Sequence, residues 1–252
     1  MAFIVAVYGA VCYVAFLGAF LYSIGFTGNL VVPRSIDSGL GAAFPSALAI
    51  DLMLLGLFAV QHSVMARPEF KQVWTRIVPH SVERSTYVLI SSLLLALLCW
   101  YWRPIPSVVW DISSPWLSAI LMALFALGWA TVLLSSFMIS HFELFGLRQT
   151  YLRMRSRSYT PLNFTQRALY KFVRHPLMLG FLIAFWATPH MSVGHLIFSI
   201  ATSGYILIGI MLEERDLMKY HGADYAAYRA RVPMLIPTGV RHVASRRATP
   251  SL

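Results

Sequence analysis

Long apolar runs separated by short polar loops set the pattern of this chain. A membrane span needs roughly 20 apolar residues to cross about 30 Å of hydrocarbon. Such runs extend from Phe3 to about Phe26, Pro45 to about Met65, Thr86 to Trp102 and Pro115 to Ser140. A further stretch, Pro176 to Leu212, carries no Asp, Glu, Lys or Arg and is interrupted at Thr188-Pro189-His190. The interruption predicts a short fifth crossing, shallow or tilted, in a helical hairpin with the sixth. The fold class expected is an all-α polytopic membrane bundle of about six transmembrane segments.

Composition supports this reading. Apolar residues make up 58% of the 252 positions and charged residues 12%, against about 45–50% and about 25% in soluble domains. Too little polar surface exists to cover a soluble globule, which excludes a soluble enzyme, a disordered chain and a fibrous repeat. Cys12 and Cys99 lie inside apolar runs and give neither a disulfide framework nor a zinc spacing. The segment Met1 to Val5 lacks the basic start of a secretory signal, so the first run is expected to be a retained helix.

The net charge of +10 changes the picture through its placement. The loop Ala66–Ser85 holds four basic residues, the loop His141–His175 seven, and the segment after Leu212 another seven. Only Arg34 and Arg103 fall on the intervening loops. By the positive-inside rule, both termini are then cytoplasmic in a multi-pass protein of the cell membrane. Basic residues set between apolar runs face anionic lipid rather than nucleic acid. Three parts are expected: residues 1–140 with four spans, 141–237 with the hairpin and the chemistry, and a basic flexible tail over 238–252. The loop 142–174 is too polar to cross yet rich in Tyr, Leu and Phe, so something packs there.

Nucleotide, P-loop, zinc-protease and C-x-x-C motifs are absent. The informative residues lie at the loop ends of the last two spans. Arg174-His175-Pro176 begins one of them; proline suits a first helical turn, whose free N–H groups beside Arg174 form an anion site. Gly180, one turn on, admits a ligand or a neighbouring backbone. The matching end of the last span carries Glu213-Glu214-Arg215-Asp216, then Tyr220-His221, Tyr225 and Tyr228. Carboxylates there oppose the helix dipole and call for a cationic or hydroxyl-rich partner, or for pairing within the helix, Asp216 with Lys219 and Glu213 with Arg215. Helical spacing puts Glu214 with His221 and Glu213 with Tyr220. A hairpin returns both clusters to one membrane face. Together they suit S-adenosylmethionine: Arg174 and helix N–H groups for its carboxylate, glutamates for its diol or ammonium, tyrosines for its base and sulfonium.

Arg174-His175-Pro176-Leu177-Met178-Leu179-Gly180, Glu213-Glu214 and Tyr225 to Pro233 resemble the C-terminal half of isoprenylcysteine carboxyl methyltransferases and phospholipid methyltransferases. That family reads R-H-P-x-Y-x-G, whereas Met178 stands here at the tyrosine position, so an aromatic contact is absent or supplied elsewhere. The segments Gly28 to Gly39, Gln61-His62-Ser63-Val64-Met65-Ala66-Arg67, Glu83-Arg84-Ser85 and His141 to Gln149 resemble one branch, the bacterial methanethiol S-methyltransferases, allied to NnrU-like membrane proteins. The resemblance implies methyl transfer from S-adenosylmethionine to a small volatile thiol, methanethiol. Prenylcysteine carboxylate or lipid amine methylation, and a non-enzymatic or metal-handling membrane factor, are the alternatives.

Thiol methylation calls for in-line alignment and help in losing a proton, because a free cysteine thiol titrates near 8.5. On the second span Asp51 and His62 share a face about 16 Å apart. His62, nearer the cofactor level, is the better base; Asp51 is a deep carboxylate with either a catalytic or a structural hydrogen-bonding role. His141 and Glu143, at the end of the fourth span, are further base or cofactor candidates. Arg84 either stabilises thiolate or anchors headgroups. His190 and His195 lie at the opposite membrane face and are excluded from catalysis. No metal site is expected, since the histidines lack ligand spacing.

Overall fold

The computed structural model describes residues 2–160 and 167–238. From residue 239 the basic tail expected over 238–252 lies outside the described residues. The helices are α1 (Ala2–Gly28), α2 (Phe44–Ala66), α3 (Pro68–Trp74), α4 (His80–Tyr101), α5 (Pro115–Ile139), α6 (His141–Leu144), α7 (Leu147–Met154), α8 (Pro176–Trp186) and α9 (Val193–Arg231). Strands β1 (Val108–Asp111) and β2 (His190–Ser192) interrupt the series. Proline does much of the punctuation. It stands in the first turn of α2, α3, α5 and α8, where its missing N–H costs nothing.

Among the described residues, five helices (α1, α2, α4, α5 and α9) are long and apolar enough to cross a membrane. Their outward faces are apolar: Phe3, Leu52, Leu93, Leu117, Leu133 and Met211 are all exposed. A belt of that extent suits hydrocarbon and not water. The chain is a multi-pass helical membrane protein.

Two expectations are revised and one element is added. The third span starts at His80, not Thr86, because Pro79 rather than the onset of hydrophobicity begins the helix. The fifth crossing is an 11-residue helix, α8, and it lies mainly against α5 rather than α9. A Cβ on Gly180 would stand 2.7 Å from Gly128 O and 2.8 Å from Val132 N, so two glycines let the backbones meet. After α8 the chain turns, Thr188 N–H donating to Trp186 O at 3.0 Å, and enters β2. Strand β2 pairs antiparallel with β1, Val108 opposite Ser192 and Asp111 opposite His190. This ribbon ties the α4–α5 connection to the α8–α9 connection. The sequence pattern did not predict it.

The main core fills the half of the bundle next to the ribbon. Trp129 meets Phe20, Phe181 and Phe185 edge-on at 5.3, 5.6 and 6.0 Å between ring centroids, an arrangement aromatic quadrupoles favour. At the other end, α1, α4 and α7 close together: Gly9 abuts Thr150, and Gly146 abuts Ser85. Gly146 has φ +84°, a conformation natural to glycine. It turns the chain from α6 into α7 against the start of α4.

Candidate functional site

At this second end the tips of α8 and α9 meet. His175 caps α8, and the segment after α9 runs alongside: Arg174 N–H donates to Pro233 O at 2.9 Å and His175 N–H to Met234 O at 3.2 Å. The Arg174 guanidinium donates through Nε to Glu214 Oε1 at 2.7 Å, and through Nη1 to Val232 O at 2.6 Å and Arg229 O at 3.1 Å. His175 Nε2 stands 3.2 Å from Glu214 Oε1, its Nδ1 3.5 Å from Glu213 Oε2, and Arg229 Nε 3.4 Å from Glu214 Oε2. Both side chains of the Arg174–Glu214 pair are 9% exposed. Glu214 thus lies between a buried guanidinium, Arg174, and an exposed one, Arg229, while Glu213 is half-exposed.

Helix α9 continues 17 residues past Glu214 to Arg231, bending at Gly222 (φ 47°, ψ −118°). Glu213, Leu217, His221, Tyr225 and Tyr228 form a stripe along it that faces a cavity of 1110 Å³. The Tyr225 and Tyr228 rings lie 5.9 Å apart, and the Tyr228 hydroxyl donates to Tyr170 O at 2.7 Å. The opposite wall comes from the starts of α3 and α4, with Lys71, Glu83 and Arg84, and from α6, α7 and the residues after it, with Glu143, Gln149 and Tyr159.

The sequence-derived candidates divide on this cavity. Arg84, Glu143, Arg174, His175, Glu213, His221, Tyr225 and Tyr228 line it. Glu214 stands directly behind, as the brace for Arg174. Pro176 and Gly180 are buried and shape α8 and its contact with α5. Tyr220, expected to share the Glu213 face, is 62% exposed. Asp216 pairs with Arg67 at the end of α2, at 2.9 Å, rather than with Lys219.

Three candidates lie off the cavity wall. Asp51 accepts from the Arg103 N–H at 2.8 Å, at the ribbon end of α2, where it holds the chain leaving α4. His62 packs flat on Phe58, with the Tyr87 hydroxyl 3.0 Å and Ser91 Oγ 3.3 Å from its ring nitrogens. Tyr87 in turn lies under the Arg84 guanidinium, 5.0 Å away. His141 stacks on Phe137 at 4.1 Å and has Ser136 Oγ and Tyr13 Oη each 2.8 Å from a ring nitrogen. Burial pulls its pKa below the ordinary histidine range. It knots α1 to α5.

Glu143 does reach the cavity, but its oxygens accept from Arg148 at 2.7 Å, Gln149 at 3.1 Å and Tyr159 at 2.6 Å. Burial, with the Glu143 carboxylate beside it, pushes the Tyr159 phenol up to about 12, so it remains a donor. Arg84 donates to Leu144 O at 2.8 Å. Lys71 shares its wall, and burial followed by the Arg84 charge pulls the ammonium pKa down. Sequence reasoning missed Lys71, Glu83, Tyr159 and Tyr170 as wall residues. The only signal was the aromatic content of the 142–174 loop. Among the described residues, no group of three or more His, Cys, Asp or Glu is placed to hold a metal.

Residues 52–239 match the model of the family described as NnrU protein. The chain is 55% identical to a methanethiol S-methyltransferase of Mycobacterium tuberculosis, over 95% of this chain and 98% of that protein. It is 52% identical to one of Crocosphaera subtropica, over 92% and 91%. A more distant likeness, 28% identity over 68% of this chain and 64% of the other, is to nurim of Danio rerio. No solved structure matches the chain.

Proposed function

The chain belongs to the NnrU protein family, and we propose that it is an integral membrane methyltransferase moving the methyl group of S-adenosylmethionine to methanethiol. The products are dimethyl sulfide and S-adenosylhomocysteine. The acceptor is the one named for relatives at 52–55% identity over more than nine-tenths of the chain. The observation that carries the site is the cavity between the Arg174-His175 and Glu213-Glu214 tips.

The residues present fit the methyl donor. A volume of 1110 Å³ lies just above the usual range of small-molecule sites, about 300–1,000 Å³. Glu83 Oε1 and Gln149 Oε1 on the wall are buried without a hydrogen-bond partner among the described residues, which suits amino groups of a ligand. Glu213, His221, Tyr225 and Tyr228 offer a carboxylate, an imidazole and two aromatic faces.

When bound, S-adenosylmethionine supplies an electrophilic methyl on a positively charged sulfur. The acceptor sulfur forms the new C–S bond as the old one breaks, its electron pair returning to the donor sulfur. Arg84 and Lys71 stabilise the thiolate, and the thiol proton leaves to the aqueous mouth of the cavity. The arginines at the mouth favour a cytoplasmic orientation of this face at the cell membrane, with both termini on the same side. Purified protein given methanethiol and S-adenosylmethionine should release dimethyl sulfide into the headspace. Methylation of a prenylcysteine or lipid amine instead would replace the acceptor; no transfer and no binding of S-adenosylhomocysteine would overturn the class.

A further inference from the structure

We propose that Tyr170, with Glu213, forms the corner of the cavity that recognises the positive sulfonium of the methyl donor and rejects the neutral thioether product. This rests on the donor proposed above. Tyr170 lies in a 3₁₀ turn, Ala168–Lys171, and lines the same cavity as Glu213. Its main chain is fixed by the Tyr228 hydroxyl, which donates to Tyr170 O at 2.7 Å. Met178, at the position where an aromatic residue was expected, packs into the apolar core and does not line the cavity. Tyr170 supplies the aromatic face from a different part of the chain.

The chemistry of the corner suits an onium ion. A sulfonium has no N–H to donate, so hydrogen-bond acceptors alone cannot hold it; it needs a negative charge and polarizable ring faces. Glu214 is engaged by Arg174 at 2.7 Å and Arg229 at 3.4 Å. Glu213, with a side chain 47% exposed, has among the described residues His175 as its ion-pair partner, at 3.5 Å. It is therefore the carboxylate of the two whose charge is left to the cavity. Leu217, four residues on, adds an apolar shelf on the same stripe. Burial, and then the Glu213 charge, raise the Tyr170 phenol pKa, in keeping with their proximity.

S-adenosylmethionine and S-adenosylhomocysteine share the base, the ribose and the amino acid end. They differ by the methyl group and its charge, so the ratio of their affinities isolates this corner. Calorimetry on the full-length protein in detergent should show Tyr170→Leu lowering the ratio about tenfold, Tyr170→Phe holding it within about twofold, and Glu213→Gln lowering it too. Equal loss for both ligands in Tyr170→Leu, or an unchanged ratio, overturns the proposal. Should that variant not fold, an unchanged ratio in Glu213→Gln overturns it alone. Parent protein that binds neither ligand would overturn the donor assignment as well, whereas binding with insensitive ratios overturns only the corner.

Discussion

The two ends of the bundle use the same polar residue types to opposite effect. At the ribbon end, Asp51 takes the Arg103 N–H, His195 Nε2 donates to Phe185 O at 3.0 Å, and Trp102 Nε1 donates to Ile36 O at 3.1 Å. Asp37 joins Asn29 to Ser192. Each side chain there closes on a loop or a helix end, and the space fills with aromatic core. At the cavity end the side chains pair with one another across helices, and the pairs stand around a hollow. At the ribbon end, then, polar side chains hold loops and helix ends in place. Charged pairs spread over several helices hold a cavity open.

The largest effect that sharpens this contrast is expected from Arg174→Ala. Removing one partner of a buried ion pair costs about 3–5 kcal/mol, so the thermal unfolding midpoint in detergent should fall, with affinity for S-adenosylhomocysteine down at least about tenfold. The double variant with Glu214→Ala should lose less than the sum of the two single losses. An unchanged midpoint would mean that the tips do not brace each other.

Next comes Gly180→Leu, which presses a side chain into the Gly128 and Val132 backbone and should cost about 1–3 kcal/mol. Its damage should reach ligand binding, because α8 carries the Arg174 tip. At the other end, Asp51→Asn should cost about 1 kcal/mol and leave turnover and ligand affinity as in the parent. A collapse of turnover there would dissolve the distinction between the ends.

The smallest effect is a pH dependence. Burial holds His141 below the ordinary value of 6.5, so the unfolded chain takes up the proton more readily. Stability is then fully present above about pH 6.5 and is lost as the pH falls through the range below it. His141→Phe, which keeps the stack on Phe137, should flatten that acid limb in thermal melts between pH 7 and 5.

The long helices were legible because their apolar runs are long, and α2 and α5 also carry proline in the first turn. Residue pairing was less so. Helical spacing gives a face but not its neighbour, and so it did not disclose Arg103 against Asp51, Tyr87 against His62 or Tyr13 against His141. The face itself drifts by about 40° every four residues. Glu213 stands at one edge of the cavity stripe, which runs on through Leu217 and His221 and leaves Tyr220 outside. The Arg174 and Glu214 tips, by contrast, were both conspicuous, since charge at the end of an apolar run requires a partner. Strand β2 was hidden because three residues beside a proline carry too little pattern to register.

That strand has a consequence for the opposite membrane face. Extended backbone rises about 3.3 Å per residue against about 1.5 Å in a helix, so the three residues from His190 to Ser192 cover the length of roughly six or seven helical ones. The turn before them is held as well, with Thr188 N–H donating to Trp186 O at 3.0 Å. Clamped by β1 at one end and by the Gly128–Gly180 crossing at the other, the segment tethers α8. The spacing of the Arg174 and Glu213 tips is thereby gauged from the far side of the bilayer, and a residue inserted beside Thr188 should loosen the grip on a ligand a whole membrane away.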